Sequence, residues 1–308
     1  MTTQPDRNIV WFSNFPNGRF ANAAFQFWFA TYLKKKRDYQ VIIGHPERPT
    51  TDLPWVMFNL PNHTHAIAML PREEIPSSMQ LSIDRSESPE TDLMKIDQHF
   101  RAHPGTVLAV DGFFQYDTGS MALEPEYLKI FESYLAPMEQ SLNSFQQAIW
   151  RHQQKIRHSF EDSFLVGIHV RRGDYLAYNN ELFYTLQLDQ VVTQLQALFT
   201  RDHILNPVIY VATDDPAYCK HFFSANDWQI ITSQDLLAPE NSREVDHMML
   251  DLAALASARM MVASNSSFSM LSALMNQRAR IFWRQSQQGH LVSFDPWSTP
   301  VLYGMYKT

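Results

Sequence analysis

The chain is 308 residues long, which exceeds the usual size of one domain, and its apolar content of 45% is enough for ordinary globular cores. We therefore expect two domains. The formal net charge of −7 argues against a general nucleic-acid binder, and the single cysteine, Cys219, excludes an internal disulfide and a cysteine-rich zinc site.

The N-terminal half begins with alternating strand and helix patterns and then becomes irregular. Residues 45–105 are rich in proline and predict a loop-rich region with short strands, for example over Trp55–Asn59 and Ala66–Leu70. The other predicted elements of this half are strands over Ile9–Ser13, Gln40–Gly44 and Thr106–Val110, a helix over Phe20–Lys36, and a mainly helical segment over residues 126–158 that is broken near Pro137.

The C-terminal half alternates strands and helices more regularly. This order is typical of βαβ units and of a parallel sheet that binds a nucleotide. The predicted strands are Phe164–Val170, Val208–Ala212, Trp228–Thr232, Met260–Ala263 and Arg280–Trp283, and the predicted helices are Glu181–Phe199, one that opens at Pro216 and contains Cys219, His247–Ala258 and Phe268–Asn276. We place the domain boundary between residues 155 and 156, giving domains 1–155 and 156–308.

The run His169–Tyr175 follows the apolar strand Phe164–Val170. Ligands of open α/β sheets bind just beyond the carboxyl ends of strands. Two adjacent arginines there, Arg171 and Arg172, suit an anion such as a phosphate, because guanidinium N–H groups are forked donors. The alternative is a solvated arginine pair with Asp174 as an ordinary partner.

Polar groups also follow two other strands. Asp215 precedes Pro216 and is suited to cap the next helix. The hydroxyl and amide side chains of residues 264–269 suit either capping or an anion at a helix N-terminus. Asp251 stands between two leucines, which predicts a partly buried carboxylate that accepts N–H groups from a guanine edge or caps a neighbouring loop.

The first strand-to-helix turn, over residues 17–26, contains small residues that would let backbone N–H groups approach a phosphate, although ordinary packing explains them as well. It is neither a G-x-G-x-x-G motif nor a P-loop. No metal-binding D-x-D motif is present, and His63 and His65 lack a third ligand at a recognisable spacing. The sequence therefore predicts no metal site.

Together these segments resemble the α1,2-fucosyltransferase family and its α1,6- and protein O-fucosyltransferase relatives. The residues 169–175 match the pattern H-x-R-R-G-D-Y, and residues 264–269 match S-N-S-[ST]-F-S. The five ordered segments that carry the resemblance are Gly18–Gln26, Asp111–Gln115, His169–Tyr175, Tyr210–Pro216 and Asp251–Ser269. The resemblance implies an α/β, GT-B-like architecture of two facing Rossmann-like domains with parallel sheets.

The resemblance also implies roles for individual residues. His169 and Asp251 would contact guanine, Arg171 would hold the β-phosphate with support from Arg172, and Asn22 would approach from the N-terminal domain. Asp174 would act as a general base or would orient the arginines. The implied catalytic residues are Arg171, Arg172 and Asp174, and the implied nucleotide-sugar-binding residues are Gly18, Asn22, His169, Asp214, Asp251, Asn265, Ser266, Ser267 and Phe268.

The implied activity is inverting transfer of L-fucose from GDP-β-L-fucose to a hydroxyl of a glycan acceptor, with an α1,2 linkage to a galactoside and without a metal or other cofactor. Three alternatives remain: a fucosyltransferase with another linkage or a protein acceptor, a transferase for another nucleotide sugar, and a non-catalytic GDP-sugar-binding protein. The sequence shows neither a signal-peptide pattern nor an apolar run of membrane-spanning length, so we expect a cytoplasmic protein that binds no nucleic acid.

Overall fold

The structure is a computed structural model. Its elements are assigned to two compact units, the first formed by residues 1–135 and 142–145 and the second by residues 136–141 and 146–308. The structure describes residues 7–13, 20–45, 68–71, 79–83, 88–116, 129, 132–133, 135–140, 144–178, 180–237, 243–286 and 288–303.

The first unit contains a five-stranded parallel sheet in the order β3-β2-β1-β5-β4. Because β1 lies between β2 and β5, the strand order reverses at β1, as it does in doubly wound folds. The described elements are β1 (Ile9–Phe12), α1 (Phe20–Lys36), β2 (Gln40–His45), β3 (Ala68–Pro71), β4 (Met79–Ser82), α2 (Pro89–Ala102) and β5 (Val107–Asp111).

Helix α1 has the bounds that the sequence predicts and is buried along most of its length. Its aromatic face forms the centre of the first core, where the Phe29 ring stacks on Phe114 at 4.5 Å between centroids and Phe12 contacts both rings. The helix ends in three lysines, and positive charge is favourable at a helix C-terminus. An apolar helix of this kind is fixed by packing more than by amphipathic patterning.

Helix α2 shows that the prediction of a loop-rich region over residues 45–105 is wrong in its last part. Ser88 caps the helix by accepting a hydrogen bond from the backbone N–H of Thr91, and Pro89 occupies the first turn, where its missing N–H has no cost. Leu93, Ile96 and Phe100 then form one buried face. The proline therefore marks the start of a helix. Strand β3 (Ala68–Pro71) overlaps the predicted strand Ala66–Leu70, whereas Trp55–Asn59 lies outside the described residues.

The second unit contains a six-stranded sheet in the order β11-β10-β9-β6-β7-β8, in which only β11 is antiparallel to its neighbour. The order reverses between β6 and β9. Its elements are α3 (Ser144–Ser159), β6 (Phe164–Val170), α4 (Gly173–Tyr178), α5 (Leu188–Arg201), β7 (Pro207–Thr213), α6 (Pro216–Phe223), β8 (Gln229–Ile231), α7 (Ser233–Leu236), α8 (Glu244–Leu255), β9 (Met260–Ala263), α9 (Ser267–Met275), β10 (Ile281–Gln285) and β11 (Leu291–Ser293). The prediction of an α/β fold with parallel sheets is confirmed.

Helix α5 and strand β11 differ from the sequence prediction. Helix α5 begins at Leu188 and not at Glu181, because the Asn180 side chain accepts hydrogen bonds from the backbone N–H groups of Leu182 and Phe183 and so forms a turn. The antiparallel strand β11 was not predicted. Cys219 lies in the helix that opens at Pro216, as predicted, and is fully buried there.

The change from the first unit to the second falls earlier than the predicted boundary after residue 155. Helix α3 packs with the second unit, where Ile156 joins the core beside α8 and the Gln153 side-chain amide donates to the Ala256 carbonyl at 3.5 Å. The helix is rich in polar residues, but one face of it is buried. Residues 136–140 are not helical, which confirms the break near Pro137.

Gly112 allows a close approach between the ends of β4 and β5. A Cβ atom at this position would lie 1.9 Å from the carbonyl oxygen of Ile83. Because that oxygen belongs to the backbone, we expect Gly112→Ala to lower the free energy of unfolding by about 1–3 kcal/mol, as overpacking usually does. Chemical denaturation would measure this. The exposed neighbour Ser82 supplies a control, Ser82→Ala, which should leave stability near the wild-type value; equal stability of both variants would contradict the prediction.

Candidate functional site

The carboxyl ends of β6, β7 and β9 lie side by side at the point where the strand order of the second sheet reverses. Ligands of doubly wound folds bind at such a switch point. The residues that follow these three strands are the arginine-rich run after β6, Asp214 and Asp215 after β7, and the serine-rich turn after β9. The structure therefore places three of the sequence motifs at one edge of one sheet.

Arg171 is held by two carboxylates. Its Nε donates to Asp174 Oδ1 at 2.8 Å, and its Nη1 lies 3.0 Å from Asp214 Oδ2. The side chain is only 13% exposed. Its second terminal nitrogen, Nη2, has no hydrogen-bond partner in the described part of the chain. The guanidinium is thus fixed in orientation while one forked donor stays available.

Arg172 is fixed by different partners. Its Nε donates to Asp215 Oδ2 at 3.1 Å, and its guanidinium carbon lies 3.4 Å from the centre of the Tyr218 ring. Asp215 also caps α6 by accepting from the Tyr218 backbone N–H, which confirms the predicted cap. The first turn of α6 therefore stabilises this arginine through one ion pair and one cation–π contact. Tyr218 was missed at the sequence level, although it stands three residues after the capping aspartate.

Asp214 connects the two arginines. Its Oδ2 faces the Arg171 guanidinium, and its Oδ1 accepts the backbone N–H of Arg172 at 2.9 Å. Gly173 permits this arrangement, because a Cβ atom at that position would lie 2.9 Å from Asp214 Oδ2. A side chain at position 173 would therefore crowd Asp214, which explains the glycine between the arginine pair and Asp174.

His169 is buried and lies between two hydroxyls. Its Nδ1 is 2.7 Å from Ser264 Oγ and 2.6 Å from Ser269 Oγ, and its ring contacts Phe268 at 5.1 Å between centroids. Burial, with a smaller effect of the Arg171 charge, lowers the pKa of His169 to about 3. The imidazole is therefore neutral at physiological pH. Its Nε2 makes no hydrogen bond to any residue that the structure describes and is not fully buried.

Residues of the serine-rich turn make hydrogen bonds within the protein itself. Ser266 caps α9 by accepting from the Phe268 backbone N–H at 3.2 Å, and Ser267 opens the helix. The Asn265 side chain donates to the carbonyls of Leu182 and Tyr303 and accepts the Tyr303 backbone N–H, so its amide is occupied by the chain itself. The N-terminus of α9 nevertheless lies at the switch point, where its dipole favours an anion.

Asp251 lies on α8 and faces β7. Its Oδ1 accepts the Tyr210 hydroxyl at 2.8 Å, and the Ser233 side chain is a second hydrogen-bond partner. Burial raises the pKa of this carboxyl group to about 7, and the two hydroxyls oppose the shift without cancelling it. The carboxyl group is thus poised between its charged and neutral forms near neutral pH, which few aspartates are.

Two predicted residues belong to the first unit. Gly18 lies outside the described residues. Asn22, on α1, accepts a hydrogen bond from the Gln115 side chain at 2.7 Å, and the Gln26 side chain donates to the Gly112 carbonyl at 2.9 Å. These bonds join the end of β5 to α1, so the two N-terminal segments that carry the family resemblance are neighbours in the first unit.

In the described ranges no group of three or more histidine, cysteine, aspartate or glutamate side chains is arranged to hold a metal ion. His63 and His65 are outside these ranges. None of the helices that the structure describes is long and apolar enough to cross a membrane.

The chain is similar to a known protein family in sequence and to solved structures in fold. The model of glycosyl transferase family 11 matches residues 127–287, and no curated protein sequence matches the chain. A variant of FUT1 from Arabidopsis thaliana in complex with GDP has a TM-score of 0.51 at 12% identity, covering 92% of this chain and 71% of that chain. The α-1,6-fucosyltransferase NodZ soaked with GDP-fucose has a TM-score of 0.52 at 12% identity, covering 94% and 99%. NodZ from Bradyrhizobium gives 0.51 at 11% identity, again covering 94% and 99%. At these identities the similarity shows a shared fold.

The lowered pKa of His169 predicts how stability depends on pH. An unfolded histidine takes up a proton near pH 6.5, whereas the folded one, with a pKa of about 3, does not. At this residue the unfolded state therefore binds more protons as the pH falls, and the contribution of His169 to the free energy of unfolding should decrease by up to about 1.4 kcal/mol per pH unit between pH 6 and 4, while the raised pKa of Asp251 acts in the opposite direction. Urea denaturation of the wild type and of His169→Gln over this range would measure the difference.

The control is His158→Gln, because His158 is an exposed histidine on α3. Its pH profile should follow that of the wild type, while the difference in free energy of unfolding between His169→Gln and the wild type should change with pH by the amount expected for His169. Identical slopes for His169→Gln and the wild type would contradict the neutral, buried state of His169.

Proposed function

Since the chain belongs to glycosyl transferase family 11, we propose that it transfers L-fucose from GDP-β-L-fucose to a hydroxyl of a glycan acceptor, with inversion and with an α1,2 linkage to a galactoside. The observation that carries the proposal is the pair of oriented guanidiniums at the switch point of the second sheet. Arg171 and Arg172 each use Nε to bind an aspartate and keep terminal N–H groups without partners among the described residues. Such forked donors match the oxygens of a diphosphate.

In the proposed reaction an acceptor oxygen attacks the anomeric carbon of fucose from the face opposite the nucleotide. The bond from that carbon to the β-phosphate oxygen breaks, the electron pair stays on GDP, and the acceptor proton passes to a base. Negative charge therefore grows on the departing diphosphate. Arg171, Arg172 and the N-terminus of α9 are positioned to stabilise that charge without reorganisation. We propose that this positive charge takes the place of a metal ion.

Asp174 has two possible roles, and its contacts favour one. Its Oδ1 already accepts the Arg171 Nε at 2.8 Å. A carboxylate paired with a guanidinium is stabilised in its charged form and is therefore a weaker base. We assign Asp174 as a residue that orients Arg171, and the acceptor proton then needs another base.

The base of the donor has two candidate partners, His169 on β6 and Asp251 on α8. His169 offers Nε2, because its Nδ1 is occupied by the two serine hydroxyls. Asp251, once ionised, offers carboxylate oxygens to N–H groups such as those on the Watson–Crick edge of guanine. In this arrangement, groups that are neutral or titrate near pH 7 recognise the base. Permanent cations bind the diphosphate.

Replacing Arg171 tests the proposed activity. We expect Arg171→Ala to lower kcat/KM for GDP-fucose by about 10²–10³-fold, as loss of one preorganised charge donor does. Transfer to a panel of β-galactoside acceptors, with EDTA present throughout, would measure it. The matched control is Arg201→Ala, because Arg201 is an exposed arginine that also pairs with an aspartate, Asp202; its activity should stay at the wild-type level.

The products of the same assay separate the alternatives. An NMR spectrum of the product that shows an α1,2-fucosylgalactoside would support the full proposal. A fucosylated product with another linkage would support the proposed donor and contradict the proposed linkage. GDP binding without turnover on any acceptor would favour a binding protein. Failure of the wild type to bind GDP, or full activity in Arg171→Ala, would refute the assignment of the donor site.

The raised pKa of Asp251 predicts a pH-dependent affinity for GDP. If the ionised carboxylate accepts N–H groups of guanine, protonation below its pKa of about 7 must weaken binding, by roughly tenfold per pH unit well below that value. Calorimetric titration of GDP between pH 5.5 and 8.5 would show this in the wild type. Asp251→Asn should bind more weakly at pH 8.5 and should keep only the pH dependence of the phosphate itself. Equal pH slopes in both proteins would contradict the role of Asp251.

A further inference from the structure

A positively charged groove lies at the amino edge of the second sheet, at the opposite end of the strands from the switch point. Its volume is about 690 Å³, and we call it the amino-edge groove. Arg157 and His158 at the end of α3 line it together with Arg259, which precedes β9, and Arg278, which precedes β10. Among the described residues that line it, Glu161 alone is acidic.

The charges in the amino-edge groove are not balanced within the described residues. None of its three arginines lies within ion-pair distance of a described carboxylate, and Arg259 Nη2 donates to the Glu161 backbone carbonyl at 3.4 Å. The Nε of Arg157 is buried and has no hydrogen-bond partner among the described residues. A buried donor that is left unsatisfied costs free energy.

The arginines also lie near enough to repel one another. The positive charge of Arg278, after the larger effect of burial, lowers the pKa of Arg157. Cations near a helix C-terminus stabilise the helix dipole, which accounts for Arg157 and His158. It does not account for Arg259 and Arg278, which come from two other segments. Three segments therefore converge on one groove with uncompensated charge, in a chain whose net charge is −7.

We propose that the amino-edge groove binds a small multivalent anion that carries two or more phosphate or sulfate groups. Guanidiniums are well suited to both groups, because each presents a planar fork of N–H donors to paired oxygens. The volume is within the range of small-molecule sites and exceeds what a single phosphate fills. The site is separate from the proposed donor site and does not depend on it.

The test is calorimetric titration at constant ionic strength with two probes, inorganic tripolyphosphate and sucrose octasulfate. Tripolyphosphate also resembles the donor diphosphate, so the titrations are made in the background Arg171→Gln/Arg172→Gln, which weakens the switch-point site. Adding Arg157→Gln/Arg278→Gln to that background should reduce the affinity for at least one probe by about tenfold or more, as expected when two charge-assisted contacts are lost.

The matched control adds Arg151→Gln/Arg201→Gln to the same background, which removes the same charge from two exposed arginines outside the groove. Its affinity should stay unchanged. Binding of tripolyphosphate alone would identify a phosphate site, and binding of both probes would identify a general site for multivalent anions. Equal weakening in the groove variant and the control, or binding of neither probe, would overturn the proposal. Thermal unfolding checks that each variant is folded. If the double variant Arg157→Gln/Arg278→Gln does not fold, the single change Arg278→Gln, at an exposed position, replaces it.

Discussion

The bridge that Asp214 makes between Arg171 and Arg172 is the interaction on which the candidate site depends. One carboxylate binds the guanidinium of the first arginine and the backbone N–H of the second, so the turn after β6 is tied to the end of β7. Adjacent arginines repel each other and have long, mobile side chains. Binding them through Nε fixes both side chains and leaves Nη2 of Arg171 and the terminal nitrogens of Arg172 without partners among the described residues.

Permanently charged side chains and buried polar side chains occupy different positions around this bridge. Asp174, Asp214 and Asp215 contact the guanidiniums of the two arginines. The buried His169 is neutral and is held by two serine hydroxyls, and the carboxyl of Asp251 has a pKa raised to about 7. Buried groups avoid the cost of desolvating a charge, and permanent charge is kept at the partly exposed turn. The amino edge of the same sheet differs, since its arginines have no such carboxylate partners among the described residues.

Much of the second unit could be predicted from sequence because its strands are short apolar runs with clear ends. Strands β6 and β9 have the predicted bounds, and the motifs at their ends meet at one edge because parallel strands share their direction. Helix α1 was also predicted with its observed bounds, and the family match over residues 127–287 agrees with the resemblance drawn from the motifs.

What the sequence could not reveal depends on contacts between distant residues. The proline-flanked helix α2 was predicted as a loop, since its buried face becomes evident only against the first core. The partners of the site were missed for the same reason: Tyr218 under Arg172 and Tyr210 beside Asp251 lie about 40 or more residues from the groups they contact. Sequence spacing identified the charged groups, whereas the packing that orients them required the fold.

A crystal structure of the protein with GDP would test the central claim most directly. The account predicts that diphosphate oxygens lie within hydrogen-bond distance of terminal nitrogens of Arg171 and Arg172, while Asp174, Asp214 and Asp215 keep their contacts with these arginines, and that the guanine lies near His169 Nε2. A diphosphate bound away from both arginines, with the two guanidiniums still paired only with their aspartates, would contradict it.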